Sequence, residues 1–207
     1  MPSARRAMAR ATERTSPPPP AVNPPKARGG QPSPPGGGVG LEGYSLSMIP
    51  PEIGGLVFLR ELVLRRHEIS LLPTELFGLD CLETLDLSRN RLEDLPIEIA
   101  QLRRLQKLHL DHNILQELPS QIVGRRRSDS PNLSFLHTLS VRHNRLKKLP
   151  REINSLVRLR VLLASHNELQ ELPRLVSELD HIRVIDVSFN AIRELPMPLM
   201  NRLAHRR

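Results

Sequence analysis

A proline that recurs at one fixed spacing is the feature that most limits what this chain can fold into. The prolines in this register are Pro50, Pro73, Pro96, Pro119, Pro150, Pro173 and Pro196. Five of the six intervals are 23 residues long, and the remaining one is 31. A period of this size is typical of solenoids, in which one unit cannot bury its own apolar face and neighbouring units supply the missing contacts.

The apolar residues of each unit follow one pattern, which is clearest between Leu82 and Leu102. Leu85 and Leu87 stand two residues apart, so they point to one face of a short strand and can bury it. Asn90 follows, where its amide can satisfy backbone groups of the turn and of the neighbouring unit. The recurring proline then ends the extended segment before a short helical turn. The same frame starts at Leu59, Leu82, Leu105, Leu136, Leu159 and Ile182.

This ordered pattern resembles the leucine-rich-repeat family in its 23-residue intracellular form, over about residues 39–204. The Leu-Pro-x-x-Ile/Leu ending is similar to repeats of the Ras suppressor protein, Erbin and Scribble. The resemblance implies an α/β fold, a horseshoe-shaped leucine-rich-repeat solenoid with parallel strands on its concave face. It also implies a module that binds other proteins.

The composition divides the chain into a tail and a repeat domain. The first 40 residues hold ten of the 20 prolines and six of the 11 glycines. Such a segment cannot bury enough apolar surface to offset its ordering entropy, so residues 1–38 are predicted to form a disordered, basic tail. Residues 39–207 are predicted to form the repeat domain, with a degenerate first repeat at 39–58 and six repeats at 59–207. The long interval predicts a loop insertion at about 123–132.

Two sharper roles for the tail stay open beside that of a spacer. Its first fourteen residues are rich in arginine and poor in acidic residues, as in a weak mitochondrial transit peptide. Its proline runs could also dock on an SH3 or WW groove as a preformed polyproline II helix.

The charge and the cysteine content limit which classes of partner and which cellular compartment are expected. Of the net charge of +8, +5 falls on residues 1–40 and +3 on the remainder, so a general nucleic-acid-binding face is not expected. The sequence contains neither a run of 18 apolar residues that could span a membrane nor the apolar stretch of a signal peptide. Cys81 is the only cysteine, which favours a reducing compartment. We therefore expect a cytoplasmic protein, with the nucleus as an alternative.

No catalytic arrangement, cofactor site or metal site is predicted. The sequence lacks a glycine-rich phosphate loop, a nucleophile elbow and a His-Glu-x-x-His helix. His112, His143 and His166 occupy the eighth position of consecutive units and could lie about 5 Å apart on adjacent strands. Zinc needs three or four convergent ligands, however, and a column that points to solvent offers no convergence.

The predicted concave face carries the candidate binding residues. Arginines and histidines mark most of its units, whereas apolar side chains occupy polar positions near its C-terminal end. A cluster of exposed apolar groups beside basic ones favours a protein partner over an end repeat with relaxed polarity. The candidates are Arg65, Arg66, Arg89, His112, Arg142, His143, Val161, Leu163, His166, Val184 and Phe189.

The insertion holds a second candidate site. Arg125, Arg126 and Arg127 precede Ser128, as a basophilic kinase requires, and Ser130 precedes a proline, as a proline-directed kinase requires. Phosphate on Ser128 would add about −1.5 to −2 charges beside the arginines. The alternative is an unmodified, solvated loop.

The function predicted from the sequence is a non-enzymatic scaffold or adaptor that binds a partner protein through the concave face. The resemblance implies intracellular signalling, with a small GTPase, a kinase or a phosphatase as partner, and a monomer is expected. One alternative is the substrate-recognition arm or a fragment of a larger enzyme, such as a ubiquitin ligase, kinase or phosphatase. Another is a phosphatase regulatory subunit. The last repeat is expected to expose core residues unless residues 197–204 fold over it.

Overall fold

The computed structural model describes residues 38–40, 46–123 and 133–204. Within these ranges, seven short strands form one sheet in which neighbours along the chain are neighbours in space. The strands are β1 (Gly38–Gly40), β2 (Glu61–Val63), β3 (Thr84–Asp86), β4 (Lys107–His109), β5 (Thr138–Ser140), β6 (Val161–Leu163) and β7 (Val184–Asp186). Each strand pairs in parallel with the next.

The central residue of each strand sets the register of the sheet. Leu85 pairs with Leu62 on one side and with Leu108 on the other. The 31-residue interval does not shift this register, because Leu108 of β4 pairs with Leu139 of β5 and Leu139 pairs with Leu162 of β6. These five leucines are fully buried, so the sheet turns one face to the core from β2 to β6.

Each unit turns back from its strand through a 3-10 helical turn close to the recurring proline. The turns are Pro51–Gly55, Thr74–Gly78, Ile97–Gln101, Ser120–Ile122, Ile153–Ser155 and Arg174–Glu178. Pro73 illustrates the cause, because its extended backbone (φ −70°, ψ 146°) leads directly into a turn. Its carbonyl accepts the N–H of Leu76 at 3.2 Å. Proline has no N–H to donate to a ladder, so extended structure ends there.

The core lies between the sheet and these turns. Leu85 and Leu87 of one strand segment and Ile99 of the following turn are fully buried, and so is Phe77. Ala164 occupies a strand position that the other units fill with a larger aliphatic residue, and it is fully buried as well. The units therefore share one continuous core, which no single unit could form alone.

An α-helix, α1 (Met197–Ala204), follows the last unit. Its Leu199 is 5% exposed and joins the core. Ile185 and Val187 of the last unit are only half-buried, however, and Met197 is exposed. Residues 197–204 thus cover the last repeat only in part.

Part of the predicted organisation falls on residues outside the described ranges. These are residues 1–37 of the predicted tail, 41–45 of the predicted first repeat, 124–132 of the predicted insertion and 205–207 at the C-terminal end. The division of the chain between residues 38 and 39 therefore stays a prediction. Among the residues that the structure does describe, no helix is long and apolar enough to cross a membrane.

Candidate functional site

An asparagine ladder fixes the chain directly after each strand. Asn144 donates through Nδ2 to the carbonyls of Leu110 and Val141, at 2.9 and 3.0 Å. Its Oδ1 accepts the backbone N–H of Leu115 at 3.1 Å. One side chain thereby pairs buried backbone groups of two neighbouring units. Equivalent bonds are made by Asn90, Asn113, Asn167 and Asn190.

His67 takes the place of asparagine in the first full unit. It is buried, and its Nδ1 accepts the N–H of Leu46 at 3.5 Å. This bond corresponds to the one that Asn90 accepts from Ile69 at 3.1 Å. The Nε2 of His67 is buried and has no hydrogen-bond partner in the described part of the chain. A neutral imidazole has one acceptor and one donor, so it cannot copy an amide that accepts one bond and donates two.

The residue before each ladder position has a left-handed backbone. The φ angles lie between 52° and 63° at Arg66, Arg89, His112, His143, His166 and Phe189. Such angles cost a residue with a Cβ atom about 1–2 kcal/mol. The bonds of the following ladder residue hold the turn in this conformation. Because the backbone geometry repeats, the six side chains form a regular series, which we call the position-eight column.

Four rings of the position-eight column stack face to face. The ring centroids of His112 and His143 are 4.2 Å apart, those of His143 and His166 4.1 Å, and those of His166 and Phe189 4.2 Å. Neighbouring planes lie within 7° to 11° of parallel. These centroid distances are shorter than the usual spacing of about 4.8 Å between neighbouring strands, so the rings are closer together than the strands that carry them. The stack presents one aromatic surface that crosses four units.

An ion pair connects two units that are not adjacent. The guanidinium of Arg142, in the unit of β5, lies 2.9 Å from a carboxylate oxygen of Asp186, in β7. Asp186 also accepts the hydroxyl of Ser188 at 2.7 Å. The hydroxyl of Ser188, followed by its backbone N–H and by Arg142, lowers the pKa of Asp186 to about 2. Both side chains of the pair are partly exposed, so the pair contributes more to the arrangement of the face than to stability.

The last two units of the column carry exposed or half-buried apolar side chains. Phe189 is 74% exposed and Val184 is 45% exposed. Val184 pairs across the sheet with Val161, which is half-buried, as is Leu163. Removing apolar surface from water is favourable by about 25 cal/mol per Å². A partner that covers these side chains therefore gains binding free energy.

Basic side chains surround the other end of the column. Arg65, Arg66 and Arg89 are exposed and line a cleft of about 370 Å³. His112 lines the same cleft, where burial, followed by the charges of His143 and Arg89, lowers its pKa. The lower pKa favours the neutral form of His112.

The repeat geometry has matches among known proteins. A family model of leucine-rich repeat regions matches residues 41–126. A leucine-rich-repeat protein of Leptospira interrogans is similar in structure, with a TM-score of 0.57 and 33% sequence identity. That match covers 75% of this chain and 44% of the leptospiral one. This chain is a leucine-rich-repeat solenoid.

Two plant receptor ectodomains resemble the leucine-rich-repeat solenoid as well. The ectodomain of the Arabidopsis thaliana receptor kinase GASSHO1/SCHENGEN3 is 34% identical, with a TM-score of 0.61, over 72% of this chain and 17% of that one. The ectodomain of the Arabidopsis receptor kinase SOBIR1 is 32% identical, with a TM-score of 0.51, over 61% and 66% of the two chains. The match to the leptospiral protein, described above, spans less than half of that protein's chain. No curated protein sequence matches the chain.

The structure brings Arg65, Arg66 and Arg89 together in one cleft, and the stacked rings lead from His112 in that cleft to Phe189. Val184 lies on β7, beside Val161 of β6. Their role in binding stays a prediction. Ser128, Ser130 and the three preceding arginines lie outside the described residues. Within the described ranges, no three His, Cys, Asp or Glu side chains form a group that could hold a metal ion.

Sequence reasoning missed the left-handed backbone and the ring stacking. The signal that could have found both is positional, because every residue of the position-eight column directly precedes a ladder residue. Three successive histidines and a phenylalanine at this position then predict rings in contact.

Proposed function

We propose that the leucine-rich-repeat solenoid is a non-enzymatic interaction module that binds a partner protein through its concave face. The observation that carries this proposal is the aromatic stack that ends in the exposed ring of Phe189, with the exposed Val184 in the same unit. Aromatic residues with arginines nearby are the side chains that most often dominate protein interfaces. The pairing of β6 with β7 also places the apolar Val161 beside Val184.

One similar structure supports this use of the fold. The GASSHO1/SCHENGEN3 ectodomain was solved in complex with CASPARIAN STRIP INTEGRITY FACTOR 2. The resemblance concerns the solenoid, and we extend from it only the general role of binding another protein.

The finer assignment is a scaffold or adaptor in cytoplasmic signalling. It is supported by the 23-residue repeat with its Leu-Pro-x-x-Ile/Leu ending and by the single cysteine, Cys81. The similar Arabidopsis structures are ectodomains of receptor kinases, so the structural resemblance does not support a cytoplasmic location. The proposal of a reducing compartment is based on the single cysteine. A small GTPase, a kinase or a phosphatase remains the proposed class of partner.

Substitutions on the concave face are expected to weaken partner binding without unfolding the protein. Phe189→Ala and Leu163→Ala each remove apolar area from the proposed interface, and we expect partner recovery to fall about tenfold for Phe189→Ala. Arg89→Glu is expected to slow association more than it speeds dissociation, because an exposed charge acts mainly on encounter. Affinity capture with quantitative mass spectrometry identifies the partner, and surface plasmon resonance then gives both rates.

Phe58→Ala is the matched control for this experiment. Phe58 is 85% exposed and lies in the turn before β2, away from the concave face. A partner that binds wild type, Phe189→Ala, Leu163→Ala and Arg89→Glu equally well would move recognition off the concave face.

A further inference from the structure

The basic end of the concave face contains more positive charge than it neutralises internally. Arg65, Arg66, Arg89 and Arg142 line the cleft of about 370 Å³, together with two carboxylates, Asp86 and Asp111. The four arginines and two carboxylates give the lining a formal charge of +2, and Asp186, which pairs with Arg142, reduces it to +1. A concave surface with an excess of one charge concentrates ligands of the opposite charge.

Both carboxylates of the cleft are already occupied by neighbours in the fold. Asp86 accepts the backbone N–H of Ser88 at 2.9 Å. Asp111 accepts the hydroxyl of Ser140 at 2.5 Å and the backbone N–H of Arg142 at 2.7 Å. One oxygen of each carboxylate, Oδ1, is therefore already bonded within the fold.

Two arginines of the cleft are available to a ligand. Arg142 is engaged by Asp186, but Arg66 and Arg89 are exposed and form no ion pair with any residue in the described ranges. Both belong to the position-eight column, so their backbones have the same left-handed geometry as the stacked rings. Arginines that line one cleft suit carboxylates, which accept two parallel N–H bonds from one arginine.

The distance between the two ends of the column sets the length of a ligand that reaches both. The three ring steps from His112 to Phe189 are 4.2, 4.1 and 4.2 Å, and Arg89 lies one strand further along. The span from Arg89 to Phe189 is therefore about 17 Å. An extended peptide rises about 3.4 Å per residue, so about five residues cover this span.

We propose that the concave face binds an extended acidic segment of a partner protein across the strands. Aspartate or glutamate side chains of the segment bind Arg66 and Arg89, and an apolar side chain about five residues away packs on Phe189. The stacked histidine rings form the surface between these two anchors. This inference rests on the proposed function, to which it adds the chemistry and the spacing of the partner.

Fluorescence anisotropy with a synthetic peptide tests the inference. The probe carries fluorescein, three aspartates, a Gly-Ser-Gly-Ser spacer and a Leu-Phe pair, and it is titrated with the full chain. Three further peptides replace the aspartates by lysines, shorten the spacer to one glycine, or replace the aspartates by phosphoserines. We expect the lysine peptide to bind at least about tenfold more weakly than the aspartate peptide, and the short-spacer peptide at least about threefold more weakly.

Charge reversal in the protein gives the complementary result. The double variant Arg66→Glu, Arg89→Glu is expected to lose at least about tenfold in affinity for the aspartate peptide and to gain affinity for the lysine peptide. Arg103→Glu with Arg104→Glu is the matched control, because these adjacent, exposed arginines lie in the turn before β4. Thermal melting of each variant verifies that it is folded.

The outcomes separate this inference from the proposed function. Equal binding of the aspartate and lysine peptides, or an equal loss in the control pair, overturns the acidic segment. Phosphoserine binding more than about tenfold tighter than aspartate binding overturns the assignment to carboxylates. If Phe189→Ala loses the captured partner while the aspartate peptide fails to bind, the proposed function stands and the acidic segment falls.

Discussion

Replacing Leu139 by alanine is expected to lower the free energy of unfolding by about 2–5 kcal/mol. Leu139 is the central residue of β5, it is fully buried, and it pairs with Leu108 on one side and Leu162 on the other. Removing its three terminal carbon atoms loses their transfer free energy and leaves a cavity that the fixed register of three strands cannot close. Because repeats depend on their neighbours, the loss should lower the midpoint of the whole urea transition.

The control for this experiment is Leu71→Ala. Leu71 is 78% exposed, so the same change in side chain should alter stability by less than about 0.5 kcal/mol. Urea unfolding followed by circular dichroism measures both variants. A near-neutral result for Leu139→Ala would show that the register given above is wrong.

The second large effect is expected for Asn144→Ala, which should cost about 2–4 kcal/mol. The substitution leaves the carbonyls of Leu110 and Val141 and the N–H of Leu115 without the partner that the amide provides. These bonds are buried, and a buried backbone group that loses its partner costs about 1–3 kcal/mol. The turn that carries His143 in its left-handed conformation should loosen at the same time.

Asn190→Ala removes the equivalent amide at the C-terminal end of the ladder. Asn190 makes the same kinds of bond, to the carbonyls of Ala164 and Val187 and from the N–H of Leu169. It is only half-buried, so water can replace part of what is lost, and the expected cost is about half that of Asn144→Ala. Chemical denaturation compares the two variants. Equal losses at both positions would mean that burial does not determine the contribution of the ladder.

The fold could be predicted from the sequence because its information is local and repeated. The spacing of Leu85, Leu87 and Asn90 assigns a core face and a ladder residue within six positions, and the recurring proline marks where each strand segment ends. Repetition then fixes the order of the strands, since each unit can bury its apolar face only against its neighbours. The confirmed solenoid follows from these two facts.

The details of the candidate site depend on geometry that composition does not record. The stacking of His143 on His166 requires a left-handed backbone at both residues, and six different sequence contexts adopt it only because each precedes a ladder position. The pair between Arg142 and Asp186 spans the intervening unit of β6, where Ser165 also forms a side-chain hydrogen bond to Asp186. Such a contact follows from side-chain conformations that a period of 23 residues does not specify.

Site-specific photo-crosslinking tests most directly the claim that a partner binds the concave face. The photoreactive amino acid p-benzoylphenylalanine replaces Val184, which is 45% exposed on β7, and in a second protein it replaces Ile97, which is 54% exposed in a 3-10 turn outside the sheet. After irradiation in cell extract, mass spectrometry identifies the covalent products. We expect a partner protein attached at position 184 and absent at position 97. Attachment at position 97 with none at position 184 would contradict binding through the concave face.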